Sequence, residues 1–480
     1  MLDEPAEGRS FLPRFAALLR AHRGAVAAAL FVVALLPRLY VALFVAHGPV
    51  WDGQFYHLGA ARIAEGHGYS GPWVTAGVER IEPWAHYPVG YSAFLAAVYV
   101  VFGAKPVVGA IAGAFVGAAT SVVVHRLALT FLSDVRALIA GALTALHPGL
   151  ILYSGLLMTE PLAALGLVLA PLVFLTFRTR PIVGAALSGI VLGLTTLVRP
   201  ETVLSVPALA LLGAKRDRRS TIFVAVVATA SCLAVVAPWT VRNAVQMDGF
   251  AFVSTNGGWN LAVGSSPHAT GRFEELRPED GCTDIPKQLD EDRCWLGRAR
   301  TWIADDPARW LALVPKKLAY TFNHQSFAVG YYAVADPDSW PEDRMRRWRA
   351  LLSYTQFILL FAAALGAIGQ PQLGAAGRLA RAAFAVVVLA FVVGIVPGWR
   401  KAWPLALLGT AAAVSRGFGR TRDGLVGYGG FALAALIVVH VVFFGEDRYQ
   451  IIVTPLLVLL AASLRFDFRR INRKTGRQEG

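Results

Sequence analysis

Several long stretches of this chain carry almost no charge, and that constrains its fold more than anything else. Residues 24–46, 106–124, 222–238 and 425–444 are apolar nearly throughout. Each approaches the ~20 residues that an α-helix needs to cross a bilayer. Only 16% of the 480 residues are charged and 56% are apolar; average soluble domains carry roughly a quarter charged residues. These numbers exclude a disordered, collagenous, coiled-coil or disulfide-scaffold protein, and an ordinary soluble enzyme. The fold class expected is an all-α polytopic membrane protein.

The net charge of +14 does not point to nucleic acid, because the basic residues sit in short clusters between apolar spans. The spans read as roughly 24–46, 105–127, 136–157, 161–177, 181–198, 200–214, 220–239, 351–369, 382–397, 402–414, 425–444 and 450–464, twelve in all. The first is too long, and lacks the small-residue cleavage site, for a removable signal peptide. The apolar stretch 88–103 decides the topology. If it stays on one side as an interfacial or re-entrant helix, one face receives Arg9, Arg14, Arg20, Arg23, Arg126, Arg136, Arg178, Arg180, Lys215, Arg216, Arg218, Arg219, Arg378, Arg381, Arg416, Arg420, Arg422 and the tail 465–480. The other face then holds few basic residues, among them Arg199, Arg400, Lys401 and Arg448. The positive-inside rule makes the first face cytoplasmic and places both termini there. The chain divides into a transmembrane module 1–239 with a first outer loop 47–104, an extracytoplasmic loop region 240–350, C-terminal transmembrane helices 351–464 and a basic cytoplasmic tail 465–480.

Charges pressed between apolar helices cost roughly 2.5–3.5 kcal/mol at membrane depth unless they line a cavity, which makes them functional candidates. In this topology they share the outer face. Asp52 follows the first span directly, where partial desolvation would raise its basicity toward general-base work; Asp is equally a favoured cap for a helix starting near Gly53. Glu160, or Thr159 beside it, suits a cap with Pro161 at the first helical position. Alternatively, Asp52 and Glu160 form a carboxylate pair that binds a divalent metal, or in which one acts as base while the other orients an acceptor.

Arg199, Arg242 and Arg448 lie at outer helix ends. The guanidinium fork suits a phosphate, and also suits headgroup anchoring. Asn256 and Asn260 flank Trp259 among glycines, a composition that fits carbohydrate as well as a turn-rich loop. Tyr56, His86, Tyr91 and Tyr449 complete the candidate substrate contacts. His57, His67, His86 and His324 show no metal-ligand spacing. Residues 66–71 satisfy G-x-G-x-x-G without the strand–turn–helix context of a dinucleotide site. Cys282 and Cys294 share the long polar loop, and a disulfide between them is expected if that loop faces an oxidising compartment. Cys232 reads as a packing residue.

In order and spacing these motifs resemble the GT-C glycosyltransferases, specifically the lipid-phosphate-sugar-dependent branch related to protein O-mannosyltransferases and bacterial aminoarabinose transferases (glycosyltransferase family 39-like). The residues that carry the resemblance are Asp52 with Tyr56, Arg62-Ile63-Ala64 and Gly68-Tyr69; Tyr87-Pro88-Val89-Gly90-Tyr91; Met158-Thr159-Glu160-Pro161; Val198-Arg199-Pro200-Glu201; Pro238-Trp239-Thr240-Val241-Arg242-Asn243; and Asp447-Arg448-Tyr449.

The resemblance implies a GT-C fold whose first outer loop is built of interfacial helices, with 88–103 among them. It implies an inverting transfer from a polyprenyl-phosphate sugar on the extracytoplasmic side of the plasma or inner membrane. Asp52 would be the base and Glu160 an acceptor or metal residue, with a divalent cation as the one cofactor expected. Arg242 and Arg448, with Arg199, would hold the donor phosphate. Protein mannosyltransferases carry a second acid after the first-loop aspartate and a large β-rich insertion. Here Gly53 follows Asp52 and the insertion is missing, so a lipid or glycan acceptor is expected rather than a protein. The Ala-, Gly- and Arg-rich composition suggests a high-GC bacterium, for which mannose or arabinose on a decaprenyl carrier would be reasonable. The rival reading is a multi-span transporter of a lipid-linked or sugar substrate, with twelve spans in two similar halves. Such a plan places its longest loop between spans six and seven inside, whereas here the long loop follows span seven.

Overall fold

The computed structural model describes residues 11–75, 78–213, 217–369, 375–395, 401–418 and 423–464. Arg9, Lys215, Arg216, Arg400, Arg420, Arg422 and the tail 465–480, all used in reading the topology, lie outside the described residues. From the N-terminus run α1 (Phe11–Ala21) and α2 (Arg23–Phe44), then the first loop with α3 (Asp52–Ala64), β1 (Ser70–Thr75), β2 (Val78–Pro83) and α4 (Val89–Phe102). Next come α5 (Pro106–Ala128), α6 (Asp134–Leu146), α7 (Pro148–Tyr153), α8 (Glu160–Thr176), α9 (Pro181–Val198), the 3₁₀ turns Pro200–Ser205 and Pro207–Leu212, and α10 (Arg218–Gln246). The polar region carries α11 (Gly257–Val263), α12 (Gln288–Asp305), α13 (Pro307–Ala312), α14 (Val314–Phe322) and α15 (Phe327–Ala335). α16 (Glu342–Ile368), α17 (Ala375–Ile395), α18 (Trp403–Phe418), α19 (Gly424–Val442) and α20 (Gln450–Ala462) follow. This is an all-α polytopic membrane protein.

Among the described residues, six helices (α2, α5, α9, α10, α16 and α19) are long and apolar enough to cross a membrane. Of the other segments read as spans, α8, α18 and α20 are shorter, and 136–157 and 200–214 are broken. The third breaks between α6 and α7 at His147-Pro148, because proline has no N–H to continue the ladder. Arg38 of α2, fully buried, caps the carbonyls this frees: its Nη1 donates to Ala145 O at 2.6 Å and its Nη2 to Thr144 O at 3.1 Å. Residues 200–212 are 3₁₀ rather than α. That suits a short crossing, since at about 2.0 Å per residue thirteen residues reach about 26 Å. The chain does cross back here. Gly189 and Gly193 of α9 pack on Ala228 and Cys232 of α10 in the same order, so the two helices run parallel.

Both ends of α4 stay at one end of the bundle. Gly90 abuts the backbone of Leu197 and Val198 at the end of α9, and Leu95 and Tyr99 meet Gly109 near the start of α5. That start is level with the end of α2, because Gly113 packs on the Ser154 carbonyl and Gly155 on Val41 and Ala46. At fourteen residues α4 is about 21 Å long, short of the ~30 Å hydrocarbon core. Val100, Val101 and Phe102 at its end are about 70% exposed, an apolar tip suited to lipid.

The first loop departs from an all-helical reading. β1 and β2 pair antiparallel with Trp73 opposite Arg80 and Pro72 opposite Ile81. The β-branched and aromatic residues of 72–81 favour extended chain.

Candidate active site

The candidate charges converge where five chain ends meet: the connection after α2, the starts of α8 and α20, and the ends of α9 and α19. Asp52 opens α3 directly after Trp51, whose backbone sits at φ 49°, a left-handed conformation that costs a bulky residue about 1–3 kcal/mol. Both Asp52 oxygens are occupied. Tyr87 Oη donates to Oδ1 at 2.8 Å, and Arg448 Nη1 donates to Oδ2 at 2.6 Å. Gly53 is dictated by its neighbour, since a Cβ there would fall 2.2 Å from Tyr331 Oη. The same hydroxyl accepts from Val50 N–H at 3.1 Å, so the turn into α3 is clasped from α15.

Glu160 is fully buried at the start of α8. Thr159 Oγ1 donates to its Oε2 at 3.4 Å, while its Oε1 has no hydrogen-bond partner. That oxygen lies 3.7 Å from Arg199 Nη1 and 3.9 Å from Arg448 Nε. Arg199 donates from Nε to Glu201 Oε1 at 2.8 Å and from Nη1 to Thr159 Oγ1 at 3.3 Å. Arg448 Nε sits 2.5 Å from Glu446 Oε2, and Nη2 donates to Tyr449 Oη at 3.1 Å. Both guanidinium groups lie over the Tyr449 ring, at 4.8 and 5.0 Å. His440 also stacks on that ring, at 4.0 Å. Asp447 points away and accepts the N–H groups of Ser326 and Phe327, which ties α15 to the site.

Asp52 is not the raised-pKa carboxylate expected from the sequence. Burial pushes it up, but the Arg448 charge, the hydrogen bonds from Arg448 and Tyr87, and the more distant Arg199 together hold it below the ordinary carboxylate range. Glu446 is the acid that is shifted upward, to about 7. Burial is the main cause, opposed by Arg448 and reinforced by Asp447, Asp52 and Glu160.

The aromatic candidates lie around Asp52. Tyr56 packs edge-on against Tyr87 and Tyr91, with ring centroids 5.5 and 5.3 Å apart. His86 contacts Tyr87 at 4.9 Å and Trp259 at 5.7 Å. Asn256 accepts from Ser254 Oγ at 2.8 Å, and Asn260 lies in α11, which Asp292 of α12 holds by accepting Trp259 N–H at 2.9 Å. Neither amide joins the ion cluster. Cys282 and Cys294 are joined as a disulfide, with Cα atoms 5.9 Å apart.

Arg242 stands apart. Its Nη1 donates to Trp84 O at 2.6 Å and to Asn243 Oδ1 at 3.1 Å, its Nη2 to Tyr69 O at 2.9 Å, and it stacks on Trp239 at 4.6 Å. This arginine fastens the hairpin to α10, with Nη1 and Nη2 engaged on Trp84, Asn243 and Tyr69. Glu201, Glu446, Tyr87 and Phe327 carry no role in the sequence reading; Glu201 and Tyr87 stand inside its motifs and Glu446 directly precedes Asp447-Arg448-Tyr449, which is the available signal. The Asp52–Glu160 pair does not fit a divalent cation, because the Arg448 guanidinium sits between the two carboxylates. Among the described residues no group of three or more His, Cys, Asp or Glu is placed to hold a metal ion.

No protein-family model matches the chain, and no curated protein does. Among solved structures it is similar to the oligosaccharyltransferase of Archaeoglobus fulgidus in the apo form, at 16% identity and a TM-score of 0.45, covering 95% of this chain and 52% of that one. It is similar, at 16% identity and a TM-score of 0.45, to the archaeal oligosaccharyltransferase AglB from the same organism in complex with an inhibitory peptide and a dolichol-phosphate, covering 96% of this chain and 52% of that one. A complex of the A. fulgidus enzyme with Zn and sulfate matches at 16% identity and a TM-score of 0.37, covering 94% and 55%. The chain thus spans about half the length of the solved structures it matches.

Proposed function

We propose that this chain is an inverting glycosyltransferase. In this reading it moves a sugar from a polyprenyl-phosphate donor to a lipid or glycan acceptor at the outer face of the plasma or inner membrane, with both termini cytoplasmic. The observation that carries the proposal is the contact of Arg448 with Asp52 across 396 positions of sequence. It joins the carboxylate that the resemblance makes the base to the guanidinium that it makes the phosphate ligand, beside the motif residues Glu160 and Arg199. The disulfide in the polar region suits the oxidising side of the membrane.

In the free protein Asp52 is ionised and engaged. A donor phosphate drawn to Arg448 and Arg199 takes the guanidinium fork, which prefers phosphate geometry, and so releases Asp52 Oδ2. An acceptor hydroxyl then gives its proton to that oxygen while its own oxygen attacks the anomeric carbon. The bond from that carbon to the phosphate oxygen breaks, and the polyprenyl phosphate leaves with the electron pair, its charge held by the two arginines. Tyr87 keeps the carboxylate aimed throughout.

The test is sugar transfer by the purified protein and its Asp52→Asn variant, using radiolabelled polyprenyl-phosphate sugars with membrane lipid extract as acceptor. Loss of at least about a hundredfold in rate with donor binding kept is the outcome expected of a missing general base. Wild-type transfer by the variant would remove Asp52 from that role. Absence of transfer by both proteins with every donor would favour the transporter.

A further inference from the structure

The site carries more acid than base. Asp52, Glu160, Glu201 and Glu446 surround only two guanidinium groups, Arg199 and Arg448. With all six ionised the cluster is net negative before any phosphate arrives, and like charge at these distances disfavours a further anion.

The four carboxylates are not held equally. Asp52 accepts two hydrogen bonds, Glu201 accepts the Arg199 Nε–H, and Glu160 accepts the Thr159 hydroxyl. Glu446 Oε2 is shut off from solvent and faces Arg448 Nε without a directed hydrogen bond; both atoms are unpartnered. The charged and titratable groups facing Glu446 are Arg448, Asp447 and Tyr449 from its own segment, Asp52 from α3, Glu160 from α8 and Tyr153 from α7. Arg448 is the cation among them, so whatever draws Arg448 away leaves Glu446 among acids. Asp52 in the same event keeps its Tyr87 hydrogen bond.

We propose that Glu446 takes up one proton when an anionic phosphate settles on Arg448, so that phosphate binding and protonation of Glu446 are one coupled event. The proposal rests on the donor-phosphate reading of Arg448 given above. Its balance is simple: ionised Glu446, one proton from solvent and the bound anion give neutral Glu446 and the complex. Glu446 starts close to neutrality, at about 7, and its value in the complex lies higher. Binding is therefore strongest below that pH and weakens as pH rises above it, by up to about tenfold per pH unit for one coupled proton.

The probe is farnesyl methyl phosphate, a phosphodiester that carries one charge at neutral pH and does not titrate there, whereas a phosphate monoester has a second pKa of about 6. Calorimetric titration of the purified full chain in detergent, at pH 6 and pH 8 and in two buffers of different ionisation heat, counts the protons taken up. The expected result at pH 8 is uptake approaching one proton and an affinity about tenfold weaker than at pH 6. Glu446→Gln, which mimics the protonated acid, should bind equally at both pH values, take up no proton, and exceed the wild type at pH 8. A merely structural role would not produce that gain. Wild-type binding without proton uptake, or uptake that persists in Glu446→Gln, overturns the proposal. If the variant does not fold, wild-type binding without proton uptake still overturns the proposal. No binding by a folded wild type at either pH overturns the donor-phosphate reading itself, and this proposal with it.

Discussion

At the scale of single residues, the turn 50–53 sets how well Asp52 is aimed. Trp51 holds an unfavourable backbone conformation, the Val50 N–H is bound by Tyr331 Oη, and the same hydroxyl fills the space a side chain at position 53 would need. Gly53→Ala must therefore move either α3 or Tyr331. Overpacking of this kind costs about 1–3 kcal/mol, and a shift of Asp52 by even 1 Å costs on the order of a hundredfold in rate. We expect Gly53→Ala to lose transfer activity out of proportion to its lowered melting temperature. Adding Tyr331→Phe removes the clashing oxygen and should recover part of both. A double-mutant cycle on rate and melting temperature checks this, and strict additivity would mean the two residues do not share the space. Asp52, Glu160, Arg199 and Arg448 could be singled out in the sequence because charges flanked by apolar helix are costly and therefore conspicuous. Arg242 was equally conspicuous, and its use was not legible: the Tyr69 and Trp84 carbonyls that occupy it are about 160 or more positions away. The lowered pKa of Asp52 was hidden for the same reason, since it depends on Arg448 from the far end of the chain.

At the scale of elements, α12 supports the wall of the site from outside. Its Asp292 holds the α11 backbone at Trp259, which meets His86 next to Tyr87, and the Cys282–Cys294 bond anchors its first turns to the preceding segment. Closing a loop of this length contributes about 3 kcal/mol in the chain-entropy account. Maleimide should label neither cysteine without reductant. After reduction, amide exchange should rise over 256–305 and leave the buried helices α5 and α8 unchanged. Labelling of both thiols in unreduced protein would refute the assignment and weaken the topology. Element boundaries were legible where composition alone decides them, as for α2, α5 and α19. They were not legible where local chemistry interrupts an apolar run. The break at His147-Pro148 depends on Arg38 to cap freed carbonyls, and 200–212 stretches into 3₁₀ turns to cover more distance with fewer residues. The hairpin 70–83 carried its signal in Trp73, Val74, Thr75, Val78 and Ile81, but its short strands disappear beside the long helices that flank them.

At the scale of the whole molecule, everything turns on α4. The arginine asymmetry, the resemblance and the packing at Gly90 and Gly109 each keep it at one end of the bundle, and that parity brings the end of α9 and the start of α20 level with Asp52. Were α4 a span, the segment 78–83 and Lys105 would lie on opposite sides of the membrane. Single cysteines at the exposed positions Ile81, Lys105 and Arg180 test this directly in a background where buried Cys232 is serine and the Cys282–Cys294 bond is intact. A membrane-impermeant maleimide applied to intact cells should reach positions 81 and 105 alike and leave position 180 for labelling only after permeabilisation. Opposite behaviour at 81 and 105 would make α4 a crossing helix. Opposite behaviour of all three would turn the site toward the cytoplasm, where a disulfide is out of place and where a donor facing the outer leaflet could not reach Arg448.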